Sequence, residues 1–359
     1  MGHRDGTEAM TWPTSSWTPM RRLAVLAASL ICGASASQAQ APPFYQGKII
    51  QIVVGFAAGG GYDAYARLLA QHMGRHIAGQ PGFIIQNMPG AGSKVAANWL
   101  YNVAVRDGTV LASVVQSTPV DQAFNEPGVK FDATRFAWIG NPIVDNLVSI
   151  TTRASGLATM EDIKTKGGLI CGSSGAGPTV SFPNAISKLL QSPVQVVAGY
   201  PGVSAITLAM ERGELNCNGG QAWSSMKATM ASLMKAGQIQ VVAQWGAEAD
   251  PDISDTMGRN APLIQTYARS DAQMGALRLL GSTAALSRPL LGPPGMAPER
   301  VQMLRDAFDA AMQDEALLAD ARKLGMDIKP VSGASIQKIV HELVNSPPSH
   351  IETAAQFVK

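Results

Sequence analysis

An α/β fold in two doubly wound halves is predicted by the order of signals along the chain. Apolar, β-branched runs are each followed by a glycine-bearing turn and then a helical stretch, the pattern that builds parallel sheets with helices on both faces. This pattern runs from Ile49 to Val115, lapses, and restarts at Leu169. The lapses, 136–153 and 239–244, are extended pieces without helical periodicity, as expected of segments crossing between two halves.

The elements follow in order. Ile49, Ile50, Ile52, Val53 and Val54 form the first strand. It breaks at Gly59-Gly60-Gly61, and a helix begins at about Asp63 with Ala66, Leu69, Ala70, Met73 and Ile77 on one face. Phe83-Ile84-Ile85 is the second strand. Met88-Pro89-Gly90-Ala91-Gly92 turns the chain into a helix over 93–104, with Ser93 as its N-cap. A third strand over 109–115 ends at Gln116-Ser117-Thr118. In the second half, 169–172 is a strand, 173–178 a loop and 179–190 a helix. A strand over 194–198 leads through Tyr200-Pro201-Gly202 to a helix ending at Met210. A strand over 215–218 leads through Gly219-Gly220 to a helix from about Ala222. The chain closes with a strand over 284–291, the turn Gly292-Pro293-Pro294-Gly295, and helices over 298–312, 314–324 and 334–344.

The 359 residues suffice for two ordinary domains, and 46% hydrophobic with 15% charged residues describes a globular chain. A net charge of +2 without a Lys/Arg run gives no footprint for nucleic acid. Arg21-Arg22 followed by the apolar 23–31 and by small residues reads as an export signal over 1–39, cleaved after Ala39, with Ala36 the alternative. Met20 would make a compact start for that signal. Later segments fall short of the ~20 apolar residues that span a bilayer, so the exported product is expected in the periplasm.

Chemistry motifs are sparse. Gly172-Ser173-Ser174-Gly175 does not complete a nucleophile elbow, because Ala176 holds the last glycine position. Gly90-Ala91-Gly92 lacks a third glycine for dinucleotides, and the chain has no phosphate loop. His72 and His76, spaced i and i+4, read as a solvated helix face instead of a metal site. The expectation is therefore no catalytic residue, no metal and no cofactor, with a serine hydrolase using Ser173 or Ser174 as the remote enzyme alternative.

Several motifs, in order, resemble those of the extracytoplasmic solute receptors of tripartite tricarboxylate transporters, the Bug or TctC-like family. They are Gly59-Gly60-Gly61-Tyr62-Asp63-Ala64-Tyr65-Ala66-Arg67, Asn87-Met88-Pro89-Gly90-Ala91-Gly92, Asp107-Gly108-Thr109, Ser173-Ser174-Gly175-Ala176-Gly177 and the 292–298 segment. The resemblance implies a type II periplasmic-binding-protein-like fold: two lobes joined by two crossing strands, with one small solute in the cleft. On that basis lobe 1 is 40–145 plus 242–359, and lobe 2 is 146–241. It also implies membrane permease subunits as partner; a sensor kinase is the alternative recipient. The receptor itself is expected to be monomeric.

Site candidates follow from where anions bind. A strand, a glycine turn and a helix N-terminus aim backbone N–H groups and a positive dipole end at one point. Gly59, Gly60 and Gly61 form such a turn, and Ser173, Ser174, Gly175, Gly177 and Thr179 form its counterpart. Ser117 and Thr118 end a strand, where hydroxyls line the crevice of an open α/β sheet or else cap the next helix. Tyr62, Tyr200 and Trp223 offer flat walls or core packing. Asp63, itself an anion, is expected to brace its helix with Arg67. Cys171 and Cys217 fall on adjacent strands of a 2-1-3 order, giving either a disulfide or two buried thiols.

Overall fold

The structure is a computed structural model that describes residues 10–11, 42–173, 177–200 and 202–358. The expected export segment over 1–39 lies almost wholly outside the described residues. β1, Ile49–Val54, pairs in parallel with β2, Gly82–Asn87, and with β3, Val110–Ser113. β1 therefore lies between its successors, the 2-1-3 order of a doubly wound sheet. β4 (Ala137–Asn141), β10 (Leu290–Gly292) and β11 (Val331–Ser332) complete the order β11-β4-β10-β3-β1-β2. These additions are antiparallel, so the sheet is mixed and not wholly parallel.

The second sheet uses the same plan. β6 (Leu169–Ser173) pairs in parallel with β7 (Val194–Ala198) and β8 (Cys217–Ala222). β5 (Leu147–Thr152) and β9 (Ile239–Trp245) extend it antiparallel, giving β7-β6-β8-β5-β9. The chain thus passes from one sheet to the other between β4 and β5 and returns after β9. Cys171 and Cys217 are register partners on β6 and β8 and form a disulfide, with their Cα atoms 4.3 Å apart.

Several local expectations change. Ser93 stands at the N-cap of the helix Lys94–Asn102 as expected, but in left-handed backbone with φ of 76° and without a side-chain cap bond. Its Oγ instead accepts the Val115 N–H at 3.1 Å, tying the second turn to the end of β3. Gly219 and Gly220 lie inside β8, not in a turn. A Cβ on Gly219 would stand 2.1 Å from Pro183 Cγ, and one on Gly220 2.5 Å from the Pro178 carbonyl. Glycine there lets the helix Pro178–Leu190 rest directly on the strand. The expected strand over 284–291 begins in a 3-10 turn, Ser282–Leu286, and becomes strand only at the short β10.

The helices Pro251–Met257, Asp271–Gly281 and Pro348–Val358 add to those read from the sequence. The last packs against Asp271–Gly281 and against Pro178–Leu190, which flanks the second sheet. Asn184 Nδ2 donates to the Val358 carbonyl at 3.3 Å. The span 242–359 expected in lobe 1 therefore ends in a helix that packs against Pro178–Leu190, inside the span expected as lobe 2. Among the described residues, no helix is long and apolar enough to cross a membrane.

Candidate functional site

β1 delivers the chain to the loop 55–60, and the helix Gly61–His72 starts directly after it, two residues earlier than its apolar face suggested. Ala66, Leu69, Met73 and Ile77 are buried as that face requires. The first N–H groups of any helix lack intrahelical acceptors and carry the positive dipole end. Gly60 occupies the N-cap without a side-chain cap bond, so that end is not closed by its own cap residue.

Asp63 organises the loop. It is buried, and its Oδ2 accepts the Gly59 N–H at 3.0 Å and Arg67 Nε at 2.8 Å. Its Oδ1 accepts Arg67 Nη2 at 3.1 Å and Asn87 Nδ2 at 3.0 Å. Bonding to Arg67, then to Gly59 and Asn87, outweighs burial and lowers its pKa from 3.8 to about 2. Its charge is spent within the protein. Asn87, at the end of β2, also donates to the Phe56 carbonyl at 2.9 Å. Of the expected donors, the Gly59 N–H is committed to Asp63, while Gly60 and Gly61 lead the helix.

Tyr62 lies beneath the loop. Its ring stacks on Phe56 with centroids 4.3 Å apart, and its hydroxyl oxygen accepts the Gln116 N–H at 3.2 Å. Burial raises the phenol pKa. Thr118 is buried, with its hydroxyl donating to the Val115 carbonyl at 2.6 Å, and it opens the short helix Thr118–Ala123. Ser117 stands at the N-cap of that helix beside Asp121, whose pKa burial raises to about 6.

In the second sheet, Ser173 ends β6 and its Oγ lies 3.2 Å from Thr179 Oγ1. Gly177, with φ of +68°, is the N-cap of Pro178–Leu190. Ser174 and Gly175 lie outside the described residues. Tyr200 donates its N–H to the Ser173 carbonyl at 3.2 Å and is half-buried against an apolar cluster. Trp223 belongs to that cluster, 2% exposed, with its indole N–H donating to Asp252 Oδ2 at 2.7 Å. Trp223 is therefore built into the core.

One residue was not anticipated. Arg288 follows the 3-10 turn before β10 and is only 8% exposed. Its backbone N–H donates to Asn141 Oδ1 at 2.8 Å, and its Nη1 to the Ser287 carbonyl at 2.6 Å. Its guanidinium carbon sits 4.6 Å from the Tyr62 ring centroid and 6.0 Å from that of Tyr65. Its Nε has no hydrogen-bond partner among the described residues. A Cβ on Gly61 would stand 3.1 Å from both Nε and Nη2. The guanidinium therefore lies against the start of the Gly61 helix. Sequence offers no signal for this pairing, because Arg288 and Gly61 are distant along the chain.

His72 is buried, contrary to the expected solvated face. Its Nε2 is 3.1 Å from Asp320 Oδ2, and His76 Nε2 is 2.9 Å from Asp314 Oδ2. These pairs fasten the helix to 314–320. No group of metal-ligating side chains stands together among the described residues. Two cavities, of about 330 and 360 Å³, are lined by Ala158, Val241 and Arg259, and by Asp271, Arg278 and His350 respectively; neither touches the Gly59–Gly61 loop.

Two mixed sheets of 2-1-3 order, linked by two passages, with a glycine at the N-cap of the helix that follows β1 and of the helix that follows β6, define a type II periplasmic-binding-protein-like fold. The fold is that of the TctC solute-binding proteins. A TctC solute-binding protein from Polaromonas matches with a TM-score of 0.63 at 17% identity, covering 84% of this chain and 96% of that one. An R. palustris protein solved with adipate matches at 0.61 and 20% identity, covering 87% and 97%. In sequence, a Cupriavidus necator protein described as "UPF0065 protein in gbd 5'region" is 27% identical over 341 residues, 92% of this chain and 94% of its own. No family model matches the chain.

Proposed function

We propose that this protein is a periplasmic receptor that captures a small carboxylate and delivers it to a tripartite tricarboxylate-type permease. The observation that carries the reading is the brace around Asp63. By taking the Gly59 N–H and pairing with Arg67, Asp63 holds the loop in place while its own charge is neutralised. The helix start at Gly60 and Gly61 is left as an anion-favouring end. The Gly177 turn and the Pro178–Leu190 helix would supply the second jaw, with Ser173 and Thr179 hydroxyls beside it. Lobe boundaries at 145/146 and 241/242 would let the jaws close by a hinge motion about the passages. The TctC-type fold, and adipate in one protein that shares it, favour a carboxylic acid. The export-like segment 1–39 favours the periplasm.

A thermal-shift screen of small carboxylic acids, followed by calorimetry, tests the reading. A ligand at 100 times its Kd adds about 2.7 kcal/mol to stability. The free acid is expected to raise Tm and its methyl ester to leave it unchanged. Equal binding of acid and ester overturns the proposal.

A further inference from the structure

We propose that Arg288 is the charged contact for the ligand carboxylate, which makes the receptor selective for ionised acids; this rests on the carboxylate reading above. A buried cation is costly unless an anion or a full set of acceptors meets it. Arg288 is nearly as buried as the core, yet among the described residues it has no ion pair. The Tyr62 ring face and the Ser287 carbonyl satisfy part of the guanidinium. Nε remains without a partner among the described residues.

The orphaned edge has a direction. The Cβ that Gly61 lacks would stand 3.1 Å from both Nε and Nη2. Any other residue at 61 would place a side chain against this edge of the fork. Glycine keeps side-chain atoms off it, beside the first N–H groups of the helix Gly61–His72. A carboxylate meeting that end would face the dipole and a guanidinium together, the pairing in which Arg matches carboxylate geometry best. The local acid, Asp145, attracts Arg288 through space but forms no ion pair with it among the described residues; its Oδ1 accepts the Ser224 N–H at 3.1 Å and its Oδ2 the Ser224 hydroxyl at 2.5 Å. The Nε edge of Arg288, unpartnered among the described residues, is the part of the guanidinium left for an incoming anion.

The test uses the purified protein with adipate, malate and acetate as probes, and two readouts. One is Tm of the wild type, Arg288→Met and Arg288→Lys. The other is the Nε–H resonance of Arg288 in wild type carrying ¹⁵N-arginine, which needs no variant. At least one acid is expected to raise the wild-type Tm and shift the Nε–H signal. Arg288→Met should weaken that acid about 100-fold, the scale for truncating one partner of a buried charge pair, with Arg288→Lys intermediate. Acids that stabilise wild type and Arg288→Met equally, or that raise Tm without moving Nε–H, overturn the role of Arg288 and leave the receptor reading standing. If no acid moves either readout, both fall.

Discussion

Asn87 Nδ2 stands 3.0 Å from Asp63 Oδ1, so the end of β2 holds the carboxylate that holds the loop after β1. The same amide reaches the Phe56 carbonyl at 2.9 Å, closing a small network around residues 56–67. Replacing Asp63 with Ala strips an acceptor from Gly59, Arg67 and Asn87 at once. The expected loss is about 1–3 kcal/mol in urea unfolding at neutral pH, the cost of unmade bonds at a buried group.

The same carboxylate sets an acid limit. Its folded pKa, about 2, lies below the ordinary 3.8. A depressed carboxylate pKa means stability that is present above the unfolded value and lost as protons bind the unfolded chain more readily. The Asp63 contribution is therefore intact above about pH 4 and fades between pH 4 and 2. The wild type should lose Tm more steeply over that window than Asp63→Asn, as differential scanning fluorimetry across pH would read. Parallel curves would refute the assignment.

The disulfide predicts a second stability term. Cys171 and Cys217 are separated by 46 residues, and closing a loop of that size restrains the unfolded chain by about 4 kcal/mol in the entropy model. Cys171→Ala/Cys217→Ala is expected to lose about 2–4 kcal/mol. Both cysteines are buried, so native protein should resist reductant until unfolding begins. Equal stability of wild type and double variant would refute this.

Glycines inside β8 predict a packing effect. Gly219→Ala would drive its methyl into Pro183, at a Cβ-to-Cγ distance of 2.1 Å. Overpacking of this kind costs about 1–3 kcal/mol or more. Gly213→Ala, where nothing lies within 4 Å but φ is +75°, isolates the backbone cost alone. The first substitution should lower the urea midpoint more than the second.

The contrast shows what a sequence can carry. β1, β2, β6 and β7 were legible because strand periodicity is local and their turns carry glycine or proline. Gly219-Gly220 misled for the same reason: a glycine pair reads as a turn unless the approach of Pro178 and Pro183 is known. Ser93 stands at the N-cap that its type and place suggest, yet its hydroxyl serves Val115, twenty-two residues on. At the site, the Asp63–Arg67 pair is an i, i+4 relation that spacing alone suggests. Arg288 meets Gly61 only through the return of the chain to the first sheet, and no local pattern records that return.

Gly59 and Gly61 separate conformation from access. Gly59 has φ of +87°, and a methyl added there would find nothing within 4 Å, so Gly59→Ala meets backbone strain and open space. Its expected effect is about 1 kcal/mol of stability. Gly61 has no such φ, but its Cβ would stand 3.1 Å from Arg288 Nε and Nη2. Alanine suits a helix better than glycine, so Gly61→Ala should hold Tm near the wild-type value. Its methyl covers the edge of the guanidinium. Carboxylate affinity, read by calorimetry, is expected to fall at least tenfold in Gly61→Ala and to change much less in Gly59→Ala. The reverse order would mean that the loop shapes the site through its backbone and that Gly61 gives no path to Arg288.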